Sequence, residues 1–341
     1  MKSYLTSVCA VFLAAAMAEP ALGQWRPEPM ASTRHYGTMA DASLGIGASL
    51  NGDIPFPHDN AWNTDVSTAS VDPNSDNLIA SIGLSTGLHP DFGRGTYAGS
   101  IIGIPYVVVD SSQAPVAIKF TLYGGQSDPG PYPVPANAPI EGYKPNGNKF
   151  GGDRHVIVID TSTNQLFEMW RAFPQSDGSW NAGSGAVFHL DSNDVRPTAK
   201  PGWTSADAAG LPIFPGLVRY DEASTGMIWH ALRFTVSASR KAYVPPANHW
   251  ASSSTNPNLP PMGMRVRLKA SFTIPAGDSR ETKAILRALQ KYGMLVADNG
   301  SSWYISGAPD DRWNNSRLVG ELRQVTGSNF EVVKMNGMVT P

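Results

Sequence analysis

Between residues 153 and 171 the chain reads DRHVIVIDTSTNQLFEMWR, and this stretch carries the side chains best suited to chemistry. Two apolar runs flank the polar tetrapeptide TSTN at 161–164, the pattern of an antiparallel hairpin. A four-residue turn there sets Asp160 opposite Gln165, Ile157 opposite Glu168 and His155 opposite Trp170. Residues opposite one another share a face, and so do alternate residues along a strand. One face then carries Asp153, His155, Ile157, Ile159, Leu166, Glu168 and Trp170, and the other Arg154, Val156, Val158, Phe167, Met169 and Arg171. The first face is expected to turn its polar end to solvent. Carboxylates and an imidazole there could exchange protons with a substrate, while the indole stacks on a sugar ring. The plainer alternative is a satisfied Glu168–His155 pair at a sheet margin.

Other residues add to the set. His230 sits in GMIWHALRFTV, read as a strand that puts Ile228, Leu232 and Phe234 on its face and Trp229 and Arg233 on the other. A histidine there is either a core residue with a partner or a catalytic group. Asp221, with Glu222, follows VRY at a strand end, a place that suits a catalytic carboxylate, although DEASTG also reads as an ordinary turn. The seven histidines show no His-x-His or His-x-x-x-His spacing. Asp191, Asn193 and Asp194 could bind calcium only as any Asp/Asn-rich loop could. No phosphate-cradling glycine loop is present. No metal and no cofactor is assigned.

These residues need a scaffold of short strands. IGIPYVVVD, PVAIKFTLYGG, GLVRYD, KAYVPP, MRVRLKASFTI and FEVVKM read as strands, and MLVADNG with SWYISG as a hairpin-like pair. A short helix is expected through Ile82, with Asp76 as its N-cap and Gly83 ending it. SRETKAILRALQKYG predicts the one strong helix, capped by Asp278 or Ser279 and striped by Ile285, Leu286, Leu289 and Tyr292. Residues 126–152 hold six prolines and five glycines, which excludes regular structure. Their Tyr132, Ile140, Tyr143 and Phe150 favour a packed loop bordering a binding cleft. The expected architecture is mostly β: a single β-sandwich or jelly-roll-like domain over 54–341, with long Pro/Gly-rich loops and one helix in the C-terminal region.

The first residues read as an export signal. Lys2 precedes an apolar run too short to span a bilayer, and Ala21-Leu22-Gly23 offers a cleavage site before Gln24. Residues 24–53 look loosely ordered. The lone cysteine, Cys9, lies within 1–23, so the remaining chain has no disulfide, thiol nucleophile or thiolate metal site. A net charge of −2 with 16% charged residues gives no polyanion-binding surface, so no nucleic-acid partner is expected. No later apolar run is long enough for a membrane anchor.

The strings NAWNTD, LHPDFG, SDPGPYPVPANAPIEG, GDRHVIVID, GWTSADAAGLPIFPGLVRYDE, HALRF, ASSSTNPNLPPMGMRVRLKASF and LVADNGSSWYISGAPDDRW resemble a family of secreted bacterial proteins. The resemblance covers roughly residues 54–333. It implies export and one domain, and it carries no activity over to this chain.

The residues point to a secreted carbohydrate-active enzyme, extracellular or periplasmic, that hydrolyses a polysaccharide. Glu168 with Asp153 or Asp221 would be its carboxylate pair, and Trp170, Trp180, Trp203 and Tyr132 would line its cleft. One alternative is a polysaccharide lyase, with His155 or His230 as base and Arg154 or Arg171 holding a uronate. A non-catalytic glycan-binding module is the other. The expected mature N-terminus is Gln24; intact-mass analysis of the exported protein checks it, and retention of residues 1–23 would refute it.

Overall fold

In the computed structural model, the described residues are 37–143, 152–196 and 202–341. The expected signal segment 1–23 and residues 24–36 lie outside them. The described residues fall within one compact unit. Sheet outweighs helix, so the chain is mostly β, with several sheets and few helices. A five-stranded sheet runs in the order Gly45–Ile46, Val107–Val109, Val156–Asp160, Gln165–Trp170, Ser184–His189. A six-stranded sheet has the order Phe330–Val332, Arg265–Leu268, Met294–Asn299, Leu232–Val236, Tyr304–Ser306, His89–Asp91. A three-stranded sheet joins Ile118–Phe120, Trp180–Ala182 and Phe173–Pro174, and Thr96–Tyr97 pairs with Ser100–Ile101.

The hairpin forms in the predicted register, with Asp160 on Gln165 and Ile157 on Glu168. Its turn is held by Asp160, whose carboxylate accepts from the Ser162 N–H at 2.9 Å and the Thr163 hydroxyl at 2.9 Å. Asn164 takes the left-handed conformation the turn needs. The faces sort as expected: Ile157, Ile159 and Leu166 join the main core, while Val156, Val158, Phe167 and Met169 join a second, smaller core under the three-stranded sheet. Across Val156–Ile159 and Leu166–Met169 neither face meets water. HVIVID and LFEM are almost unbroken apolar runs, the signature of strands covered on both sides.

What covers the inner face is the chain segment 204–218. It is buried almost throughout and is tied to both large sheets. Toward the five-stranded sheet, Glu168 accepts from the Ile213 and Phe214 N–H groups at 2.9 Å, the Ser184 hydroxyl donates to the Ser205 carbonyl at 2.8 Å, and His155 Nε2 meets the Ala206 carbonyl at 3.0 Å. Toward the six-stranded sheet, the Ala209 N–H donates to the Ala297 carbonyl and the Val218 N–H to the Ser306 carbonyl, both at 3.1 Å.

Helix Arg280–Lys291 forms where predicted. The Ser279 hydroxyl caps it by accepting from the Thr282 N–H at 3.2 Å, and its Ile285, Leu286 and Leu289 are buried. Gly293 ends it at φ +68°, where a Cβ would lie 2.3 Å from the Val266 carbonyl oxygen. Helix Ser75–Ile82 also forms, packed on strand Phe330–Val332. Several expectations need correction. Asn315–Leu322 is a further helix near the C-terminus, capped by the Asn314 side chain accepting from the Arg317 N–H at 3.1 Å. VRYD is no strand: Tyr220–Ala223 is a short helix, because Arg219 and Glu222 pair across one turn. MLVADNG and SWYISG do not pair with each other; Leu232–Val236 lies between them, parallel to the first and antiparallel to the second. Within 24–53, the described residues are ordered: Gly45–Ile46 pairs with Val107–Val108, and Leu50 is buried. Of the loop 126–152, the described part packs on the smaller core through Tyr132, Val134 and Ala138, while residues 144–151 lie outside the described residues.

Glu168 therefore has a structural task. Its second oxygen shares the Ile213 N–H, and the amide of a glutamine would oppose that N–H with donors of its own. Glu168→Gln is expected to lower stability by about 1–3 kcal/mol, measured by urea unfolding. An unchanged midpoint would refute the anchoring role.

Candidate active site

The two large sheets bring a group of ionisable side chains together around Arg233. From the Leu232–Val236 strand, its Nη2 donates to Asp207 Oδ2 at 2.7 Å and its Nη1 to the Ser306 hydroxyl at 2.8 Å. Asp207 comes from the buried 204–218 segment and also accepts from the Ala209 N–H at 2.7 Å. Asp298 stands near the end of Met294–Asn299, within electrostatic reach of Asp207, Arg233 and His155. Opposite, from the other sheet, His155 Nδ1 meets Glu141 Oε2 at 2.5 Å. Glu141 and Asp91 both feel the Arg233 charge. Asp91 ends strand His89–Asp91 at the surface, where His89 stacks on Tyr304 with ring centroids 4.2 Å apart.

These groups lie on two levels. Asp207, Glu168, His155 and Arg233 are inside, whereas Glu141 keeps 22% of its side chain exposed, Asp298 is half-buried and Asp91 is exposed. Electrostatics separates the carboxyls. Burial, reinforced by the neighbouring Asp207, pushes Asp298 up to about 7. Burial also raises Glu141, but the adjacent His155 outweighs it and holds Glu141 below the usual carboxylate range. Burial would lower His155; the Glu141 charge and hydrogen bond override it and lift the imidazole to about 9. Burial takes Glu168 to about 7 despite its two backbone donors.

No family model, curated protein or solved structure matches this chain. The site is therefore read from its own geometry. Among the described residues, no group of three or more His, Cys, Asp or Glu is placed to hold a metal ion, and no helix is long and apolar enough to cross a membrane.

The residues singled out from sequence disperse. His155 and Glu168 share a face, as expected, but that face is interior, because 204–218 fills the space where a cleft was expected. Asp153 and Trp170 remain at the margin, with the Trp170 Nε1–H donating to Asp153 Oδ1 at 3.3 Å. Tyr123 leans on Trp170 at 6.1 Å and the Arg171 guanidinium lies over it at 5.6 Å, which makes a partly exposed aromatic ledge. Left-handed backbone at Arg154 and Arg171 ends the regular alternation here. Arg154 turns inward, its Nε donating to the Ala172 carbonyl at 3.0 Å and its guanidinium stacking over Phe173 at 4.3 Å. Tyr132 (0% exposed) and Trp180 (2%) line no cleft; both are core residues of the smaller sheet pair. Trp203 is half-buried beneath the Arg196 guanidinium, 5.5 Å away. His230 precedes its strand rather than sitting within it, and faces Glu222 at 3.0 Å and the Ala231 carbonyl at 2.8 Å. Asp221 belongs with that pair, away from the Arg233 group.

Glu141, Asp207, Asp298 and Asp91 were not singled out from sequence. The signal that drew attention to Asp221, a carboxylate at a strand end, applies equally to Asp298 and Asp91. Nothing local marks Glu141 or Asp207, which lie in irregular segments.

The raised His155 value has a stability consequence. Stabilisation by the imidazolium is fully present below its unfolded value near 6.5 and is lost as pH rises through about 9. Wild type should exceed His155→Gln most below that window, with the difference shrinking by about 3 kcal/mol across it. Urea unfolding of both proteins at stepped pH measures this; a pH-independent difference would refute it.

Proposed function

We propose that this chain is an exported glycan-cleaving enzyme, a glycoside hydrolase, whose acid and base are Asp298 and Glu141. The single observation that carries the reading is the split between these two partly accessible carboxyls: Asp298 raised to about 7 and Glu141 lowered, both within electrostatic reach of Arg233. Paired carboxyls driven apart by their surroundings are the general solution for protonating a leaving oxygen while activating water. Asp298, protonated, would give its proton to the glycosidic oxygen. Glu141, kept ionised by His155, would take a proton from the attacking water. Asp91 and Arg233 would fix the charge balance, and His89–Tyr304 and the Trp170 ledge would offer ring faces to a polysaccharide.

The acid–base pair thus moves from Glu168 with Asp153 or Asp221 to Asp298 with Glu141. Glu168 is spoken for by the backbone and sealed from solvent. The lyase reading loses support because both ring nitrogens of His155, and both of His230, already face acceptors. Within the same proposal, the five- and six-stranded sheets stack in a sandwich-like manner, with the site at one end of the stack, and the protein acts outside the cytoplasm as its N-terminal sequence suggests.

Asp298→Asn and Glu141→Gln should each reduce release of reducing ends by about 10²–10⁴-fold with the fold retained. Turnover should fall as pH rises through about 7, because the acid Asp298 then loses its proton. On the acid side it should persist well below neutrality, because Glu141 stays ionised there. A reducing-sugar assay across a polysaccharide panel measures all of this. An Asp298→Asn variant with wild-type turnover on the substrate found would overturn the assignment.

A further inference from the structure

A second polar site lies away from the Arg233 group and shares no residue with it. The pocket, about 230 Å³, is lined by Ser49, Tyr106, Arg219, Asp221, Asp310 and Arg312, with Tyr220 and Ser224 beside them. It explains two sequence features that the proposed reaction leaves idle, Asp221 and His230. The His230 ring backs Glu222 at 3.0 Å, Glu222 pairs with Arg219, and Arg219 forms part of the pocket wall. Behind this wall the Phe214 ring lies 4.7 Å from the Arg219 guanidinium. Asp221 is presented on the short Tyr220–Ala223 helix and steadied by the Ser49 hydroxyl at 2.8 Å. Arg312 grips Asp310 with two nitrogens, at 2.8 and 2.6 Å, and lies 4.4 Å above the Tyr220 ring.

Two features point to a ligand. Arg219 is only 1% exposed, yet its Nε and Nη1 make no hydrogen bond, and the nearest approach to Asp221 from Nε is 3.9 Å. Buried guanidinium donors are rarely left unpaired. The charges are also nearly balanced: Arg219 faces Glu222 and, at 3.9 Å, Asp221, and Arg312 faces Asp310, so three carboxylates stand against two guanidiniums. A site with a surplus carboxylate beside an accessible guanidinium, that of Arg312, repels anions but suits hydroxyl groups, which accept from guanidinium and donate to carboxylate at once. Its walls are mainly polar side chains, with Ala308 and Pro309 the small apolar residues among them, so an apolar ligand has little to bury against.

We propose that this pocket binds a neutral polyhydroxylated ligand the size of one sugar ring, with Asp221 and Arg312 as its recognition groups and the buried Arg219 as the charge behind them. The proposal does not depend on the glycan-cleaving reading. Calorimetric titration of the full chain with D-glucose, D-galactose, D-mannose, D-glucuronate and inorganic phosphate tests it. At least one neutral hexose should saturate. Asp221→Asn and Arg312→Ala should each weaken that binding by about tenfold or more, the scale of one charged hydrogen bond, with melting temperature nearly unchanged for Arg312→Ala, whose side chain is 58% exposed. Failure of all three hexoses to bind, or equal binding by both variants, would overturn the site. Tighter binding of glucuronate or phosphate than of any hexose would overturn the ligand class.

Discussion

The segment 204–218 passes through the interior, and its peptide groups must find partners other than water. Unpaired, each buried N–H or carbonyl would cost on the order of 1–3 kcal/mol. The surrounding strands meet this need with side chains. Glu168 takes two N–H groups, His155 and Ser184 take two carbonyls, Ala297 and Ser306 of the opposite sheet take the Ala209 and Val218 N–H groups, and turns within the segment pair Gly210, Gly216 and Leu217. A carboxylate in mid-strand, which looks like a catalytic group in isolation, is what allows an irregular segment to separate two sheets and still be satisfied.

That arrangement also determines where charge collects. Asp207 rides on the buried segment and brings a carboxylate to the six-stranded sheet, where Arg233 answers it. A buried pair of this kind gains little over an apolar pair, yet losing one partner is costly. Around it, the candidate site forms from Asp298 and Asp91, at strand ends of the six-stranded sheet, and Glu141 from the proline-rich loop. Desolvation and like charge raise Asp298, and an imidazolium lowers Glu141. Similar side chains thus acquire opposite tendencies from their neighbours alone.

The Arg219 network repeats the same physics at another place. A buried arginine is matched by Glu222, Glu222 is backed by His230, and the second carboxylate of the DE pair is left facing a pocket. Asp221 and Glu222 are adjacent in sequence but divide their tasks, one inward and one outward, because a helical turn points neighbouring side chains about 100° apart.

Local pattern by itself determined much of the secondary structure. The TSTN turn and the two runs beside it determined the hairpin, its register and which residues share each face, since alternation in a strand leaves no freedom once the turn is known. Serine, an apolar stripe and glycine likewise determined the Arg280–Lys291 helix. What pattern could not decide is what each face meets. Whether the His155–Glu168 face saw solvent or protein depended on a segment some forty residues further along the chain. Tyr132 and Trp180 became core for the same reason: the three-stranded sheet, which includes Trp180, shares a core with Tyr132 and the outer face of the hairpin. The carboxyls now placed at the candidate site are scattered from residue 91 to residue 298 in unrelated local patterns. Only the pairing of distant strands brings them near Arg233, and only burial and proximity, which are properties of the folded chain, set one apart from another.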